Sequence, residues 1–250
     1  MKVSIITPYK NSHNTFSSTY KSVINQTYED FEWIIIDDGS SKEGFKKLID
    51  IANDKRVSVH KNEGNFGPGG ARNHGLKIVK GRFLTFLDSD DLWEENYLDK
   101  MTSLIFKSDG IIFSGYRRFD YTNKKYISDF IPSKKKITKN NILKGNPLSC
   151  LSTFIDTNKL QFLPEFGNYA ARNDLVFFYK LLEQISYAKP INLVLGTYNL
   201  IPKSVSRNKF KALYFQWLVC RDVAKLGVFI SIYNCICWAV YGVRKYYLND

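Results

Sequence analysis

Short apolar runs alternate with stretches of helical period over roughly the first hundred residues. Val3–Thr7 predicts a strand, and Phe16, Tyr20, Val23 and Ile24 then fall on one face of a helix. Phe31–Asp37 is almost continuously apolar, the pattern of a strand buried on both faces. A helix with Phe45, Leu48, Ile49 and Ala52 on one side follows, then a short strand at Val57–His60. A glycine-rich loop leads into a helix near Ala71–Lys80, a fourth strand spans Arg82–Leu87, and another helix is predicted to begin around Trp93. This alternation predicts an α/β fold around a mostly parallel central sheet. Ligands of such sheets sit beyond the carboxyl ends of the strands, where loops and helix N-termini converge. Two acidic clusters stand at such ends: Asp37-Asp38-Gly39-Ser40 and Asp88-Ser89-Asp90-Asp91.

The middle of the chain, Ile111 to Asn199, mixes strands with short helices and a lysine-rich turn at Ser133–Lys136. No Pro/Gly linker divides it from the first part, and there is no internal repeat. Arg172-Asn173-Asp174 precedes a helix with Leu175, Phe178 and Leu182 on one face. From Lys209 the pattern is helical, with Leu213, Trp217, Cys220 and Ala224 in register. A chain of 250 residues with 44% hydrophobic content suits one large domain carrying a C-terminal helical appendage.

Asp88-Ser89-Asp90 places two carboxylates where they can fan around one ion in a loop. Hard oxygen ligands without a neighbouring Cys or His suit Mg²⁺ or Mn²⁺. The same residues also read as a turn and N-cap for the helix expected at Trp93. Asp38 can accept a hydrogen bond from a uracil N–H while Gly39 turns the backbone, or it can serve in a turn and helix cap. The loop Asn62 to Asn73 can bring backbone N–H groups to a phosphate. It is neither a Walker A loop nor a dinucleotide fingerprint, because no Gly-Lys-Ser/Thr and no G-x-G-x-x-G occur in it. Arg72 there can contact a base or a diphosphate, or lie solvated on its helix.

Taken in order, Val3-Ser4-Ile5-Ile6-Thr7-Pro8-Tyr9-Lys10-Asn11, Ile36-Asp37-Asp38-Gly39-Ser40, Asn65-Phe66-Gly67 through Ala71-Arg72-Asn73-His74-Gly75, and Phe86-Leu87-Asp88-Ser89-Asp90-Asp91 resemble the motifs of family 2 glycosyltransferases. The resemblance implies the GT-A nucleotide-diphospho-sugar transferase fold. On the matched positions it implies nucleotide-sugar contacts from Thr7, Pro8, Tyr9, Asp38, Asn65, Gly67, Arg72, Asp88 and Ser89. Within that set Thr7, Asp38 and Arg72 would meet the uridine. Asp88 would lie on the ribose and metal side, and Asp90 would bind a Mn²⁺ or Mg²⁺ ion directly.

The family also carries its catalytic base in an acidic pair, commonly Glu-Asp, at the start of a helix. Here Asn173 replaces the first acid and Asp174 matches the second, which removes a like charge that would raise the pKa of the base. The resemblance thus divides the chain into a nucleotide-sugar half (1–100), an acceptor-binding and catalytic half (101–207) and a C-terminal segment (208–250). It implies an inverting transferase that moves a sugar from a UDP-sugar to a saccharide, lipid-linked, in synthesis of a bacterial O-antigen, capsule or lipopolysaccharide. Lys203 or Arg207, in Ile201–Arg207, would close over the diphosphate as a lid, or that segment is a plain surface loop. A sugar nucleotidyltransferase is the competing enzyme class. It would carry an early glycine-rich loop, and Pro8-Tyr9-Lys10-Asn11-Ser12 has no glycine.

The net charge of +12 draws polyanions: nucleic acid, a phospholipid surface or a phosphorylated substrate. Nucleic acid is not expected, since the lysines are scattered and no recognition motif interleaves them with aromatics. Cys150, Cys220, Cys235 and Cys237 show no C-x-x-C spacing, which suits free thiols in a reduced cytoplasm. The apolar run at the N-terminus is too short for a signal peptide, so export is not expected. Leu226–Val243 carries no charge and is flanked by basic residues. Its eighteen residues reach the lower edge of a membrane-spanning helix, a reading weakened by Ser231, Tyr233 and Asn234. The segment predicts instead an interfacial helix on the inner face of the cell membrane, with Phe229, Tyr233 and Trp238 among the headgroups, or else a helix packed on the catalytic domain.

Overall fold

The computed structural model describes residues 1–64, 67–108, 110–169, 171–200 and 209–247, without the side chains of residues 209 and 244–247. Strands β1 (Val3–Tyr9), β2 (Phe31–Asp37), β3 (Val57–Lys61) and β4 (Phe83–Phe86) pair in parallel in the order β3-β2-β1-β4. The sheet then continues through β8 (Thr153–Asp156), β6 (Ile111–Asp120), β9 (Ala188–Leu200) and the two-residue β5 (Leu92–Trp93). Strand β8 runs antiparallel to both β4 and β6, and β7 (Lys125–Phe130) forms a hairpin with β6.

Alternation along β1 sends Ile5 to one core and Ile6 to the other, so the sheet is covered on both faces. Helices α1 (His13–Ile24) and α4 (Tyr97–Ile105) cover the face holding Phe16, Trp33 and Met101. The opposite face packs against α6 (Asn173–Gln184), whose residues Leu175–Tyr179, Leu181 and Leu182 are all buried. That second core draws on Ile6, Ile111 and Cys220, so all three parts of the chain contribute to it.

Two elements depart from the sequence reading. The helix after β3 is α3 (Gly67–Leu76), starting four residues before the position expected from apolar periodicity. Asp38 Oδ2 accepts the Gly67 N–H at 2.8 Å, which caps the helix from another strand and pulls the loop's glycines into its first turn. No helix begins at Trp93. Its indole donates to the Leu151 carbonyl at 2.7 Å and stacks 4.2 Å from Tyr97, and the segment pairs with β9 instead. Helix α4 starts at Tyr97, too late for the Asp88–Asp91 cluster to cap it.

Helix α2 (Lys42–Ile51) is capped by the Ser41 hydroxyl, which accepts the Gly44 N–H at 3.1 Å. Its Leu48 is buried while Ile49 turns to solvent. After the short α5 (Lys139–Ile142), the C-terminal segment is α7 (Lys209–Leu218), a π-helical turn at Val219–Val223 and α8 (Val228–Tyr247). Among the described residues, no helix is long and apolar enough to cross a membrane.

Candidate active site

The ends of three adjacent parallel strands meet at one point. The Asp38 N–H donates to the Tyr9 carbonyl at 2.8 Å, and the Leu87 N–H donates to the Ile6 carbonyl at 3.1 Å. Pro8 and Tyr9, Asp38, and Asp88 are therefore delivered side by side, as a crevice beyond strand carboxyl ends requires. A cleft of about 400 Å³ lies over them, lined by Pro8, Tyr9, Lys10, Ser12, Asp38, Gly67, Pro68, Asp88, Ser89 and Asp90.

Both Asp38 oxygens are engaged: Oδ1 accepts from Asn62 Nδ2 at 2.7 Å and Oδ2 from the Gly67 N–H. The residue thus ties the end of β2 to the start of α3 and is not a cap for α2. Tyr9 buries its ring edge-on against Phe16, and burial together with Asp37 pushes its phenol up to about 12. The acidic loop after β4 is pinned at both ends. Ser89 Oγ donates to Ser12 Oγ at 2.9 Å and Thr15 Oγ1 to the Ser89 carbonyl at 3.1 Å. On the other side the Asn199 N–H donates to Asp91 Oδ1 at 2.9 Å, and Asn199 Nδ2 donates to the Asp90 carbonyl.

Arg72 projects from α3 into the floor of the cleft, where its guanidinium is ion-paired with Asp88 and lies 5.3 Å from the Phe166 ring centroid. Burial works against its charge, but the carboxylates of Asp88 and Asp174 outweigh it and the pKa is raised. The Asp90 carboxyl is also raised, from the ordinary carboxylate value to about 6, by burial and the charge of Asp88. Burial and the charges of Asp90 and Asp88 also raise Asp91 well above the usual carboxylate range. Burial pushes the Cys150 thiol up, so it is a packed neutral side chain beside Arg72 and no nucleophile.

Asp174 stands in the first turn of α6, behind an N-cap at Arg172 whose φ is 65°. It is not the cap itself. The turn before it is fixed to α3: Asn73 Oδ1 accepts the Phe166 N–H at 2.7 Å, Asn73 Nδ2 donates to the Phe166 carbonyl at 3.1 Å, and the Gly167 N–H donates to the Asn173 carbonyl at 3.1 Å. A Cβ on Gly69 would come within 3.0 Å of Asn173 Nδ2, so glycine lets α3 and α6 close up. This brings Asp174 within electrostatic range of Arg72 and Cys150.

Residues 4–157 match the sequence profile of glycosyl transferase family 2. The chain belongs to that family. It is 33% identical to the Escherichia coli UDP-Glc:alpha-D-GlcNAc-diphosphoundecaprenol beta-1,3-glucosyltransferase WfgD, over 98% of this chain and 94% of WfgD. It is 30% identical to the putative teichuronic acid biosynthesis glycosyltransferase TuaG of Bacillus subtilis, over 97% of this chain and 96% of TuaG. Its fold resembles that of S. aureus TarS 1-349 in complex with UDP-GlcNAc, with a TM-score of 0.68 at 21% identity, over 98% of this chain and 72% of that one. The architecture is thus the GT-A fold, as the motifs implied.

In this family 2 glycosyltransferase, Pro8, Tyr9, Asp38, Gly67, Asp88, Ser89 and Asp90 share one cleft, with Arg72 beneath. The Thr7 side chain turns away: it is fully buried and accepts a hydrogen bond from Trp33 Nε1 at 2.8 Å. Asn65 and the segment with Lys203 and Arg207, expected as a lid or a plain surface loop, lie outside the described residues. Among the described residues, no three His, Cys, Asp or Glu side chains form a metal cage. Asp88 and Asp90 supply two carboxylates, and Mg²⁺-type ions commonly take one or two carboxylates and complete their shell with substrate phosphates. The donor set fits such an ion. Sequence reasoning missed Ser12, Asn73 and Asn199, which hold the loops in place. Asn73 lies within a matched motif and was within reach, but nothing local marks Asn199.

Proposed function

We propose that this glycosyltransferase inverts the anomeric carbon of a UDP-sugar while transferring the sugar to a hydroxyl of a lipid-linked saccharide, in synthesis of a bacterial surface polysaccharide. The observation that carries this reading is the convergence of Asp38, Asp88, Asp90 and the Arg72–Asp88 pair on one cleft, with Asp174 in electrostatic range. The names of WfgD and TuaG support the acceptor class and the polysaccharide setting. Nucleotidyl transfer has no comparable support.

Residues 1–100 are assigned to the donor and 101–207 to the acceptor and the base. Pro8, Asp38 and Gly67 hold the nucleoside end, while Ser89 fixes the acidic loop against α1. Asp88 and Asp90 would hold a Mn²⁺ or Mg²⁺ ion. When bound, that ion offsets the charge developing on the departing diphosphate. Arg72 adds a fixed positive charge on the same side. Asp174 takes the proton from the acceptor hydroxyl, whose oxygen attacks C1 as the bond from C1 to the diphosphate oxygen breaks. An acceptor on a lipid carrier places the enzyme at the inner face of the cell membrane as a peripheral protein.

The test is Asp174→Asn assayed with radiolabelled UDP-glucose and UDP-GlcNAc. The expected result is a kcat lower by roughly 10²–10⁴-fold with donor affinity unchanged. Normal turnover by a folded Asp174→Asn protein would remove Asp174 from the role of base.

A further inference from the structure

Helix α8 has its polarity reversed relative to a helix that faces water. Its inner side carries Ser231, Asn234 and Cys235, all buried, while Phe229, Ile232, Tyr233, Ile236, Val240 and Val243 point outward. These six recur at i, i+3, i+4, i+7, i+11 and i+14, which is one continuous stripe. Phe229 is 88% exposed and each of the others more than two-fifths. Ser231 Oγ donates to the Gly227 carbonyl just ahead of the helix at 2.9 Å and Asn234 Nδ2 to the Ile230 carbonyl at 2.7 Å, while the buried Asn234 Oδ1 has no partner among the described residues. Trp238, expected among the headgroups, instead turns inward and lies under the Arg172 guanidinium at 4.3 Å.

A contiguous apolar face of this length on a soluble domain marks an interaction surface. The charge around it selects the partner. Between Lys209 and Tyr247 the chain has six basic residues and one acid, Asp222. Lys211 and Lys225 are exposed, and Lys144 Nζ reaches the ring of Tyr233 at 5.1 Å. A second copy of the chain would bring these cations against their equivalents, whereas an anionic headgroup layer neutralises them.

We propose that the outer stripe of α8 lies in the headgroup region of an anionic bilayer, parallel to its plane. The stack of Trp238 on Arg172, two residues before Asp174, then sets the catalytic cleft beside the lipid surface. Only this orientation rests on Asp174 as the base. The docking itself does not.

The experiment is co-sedimentation of the full chain with vesicles of phosphatidylglycerol and phosphatidylethanolamine, against vesicles of phosphatidylcholine, with UDP-glucose affinity measured in parallel. Binding to the anionic vesicles only is expected, weakening as salt rises, with each basic residue near the surface worth about fivefold. Phe229→Glu and Ile236→Glu should each weaken vesicle binding about tenfold or more while leaving thermal unfolding and donor affinity unchanged, because both side chains are exposed. Vesicle binding equal to that of the parent in both variants overturns the proposal. So does a dimer in solution that Phe229→Glu dissociates. Loss of UDP-glucose affinity with intact vesicle binding would refute the donor site and leave the docking face standing.

Discussion

The Arg72–Asp88 pair makes an asymmetric prediction about stability. The Arg72 side chain is 6% exposed and that of Asp88 37%, so the two partners differ in what water can do for them once alone. Asp88→Ala strands a guanidinium in the floor of the cleft, and removing one partner of a buried pair costs about 3–5 kcal/mol. Asp174 lies within range of Arg72 and holds the loss toward the lower end. Arg72→Met instead leaves a carboxylate that can rehydrate, and its cost should be nearer 1–2 kcal/mol, roughly. The double variant Asp88→Ala/Arg72→Met should recover about 1 kcal/mol or more relative to Asp88→Ala, since no buried charge remains unpaired. Urea unfolding at neutral pH in EDTA, followed by tryptophan fluorescence, measures all four proteins. Against a total stability of about 5–15 kcal/mol these differences are readily measured. If Arg72→Met costs more than Asp88→Ala, or if the double variant is the sum of the singles, the pair is not the buried, directional contact described above.

Asp90 supplies a prediction about pH. Its carboxyl is raised from 3.8 to about 6 by burial and Asp88, so the folded apo protein holds a proton that the unfolded chain releases, and stability falls as pH rises through that window. Asp90→Asn should therefore match its parent near pH 4 and exceed it above about pH 6, by up to roughly 3 kcal/mol in urea unfolding with EDTA, and added Mn²⁺ should narrow the gap. An unchanged stability at neutral pH would show that burial does not penalise the Asp90 charge. Trp238→Ala, which removes the ring under Arg172, should lower kcat roughly 10- to 100-fold through misplacement of the turn carrying Asp174, with the donor KM unchanged. Trp238→Phe should restore most of that rate, because a phenyl face still holds a guanidinium. A lowered melting temperature with normal kcat would reduce Trp238 to a packing role.

Much of the first hundred residues was legible in the sequence, because the signals there are short-range. A run such as Phe31–Asp37 reports burial on both faces wherever it sits, and an acidic cluster at the end of such a run lands at a strand end by covalent connection alone. The four matched motifs place Pro8, Asp38, Gly67 and Asp88 on such ends or on the helix between them. What could not be read locally was decided by pairings across the chain. Trp93 has helical neighbours in sequence, yet its indole satisfies a carbonyl 58 residues away, and the segment becomes a strand. Asn199 pins Asp90 and Asp91 from 109 and 108 residues away, a partner that no local pattern announces. The uncharged stretch Leu226–Val243 had three readings, spanning, interfacial and buried, because hydropathy reports how apolar a helix is and not which side is covered. Packing against Arg172 and Gly145 gave α8 an inside and an outside. Only that placement decided that its polar residues face the protein and its apolar stripe faces away.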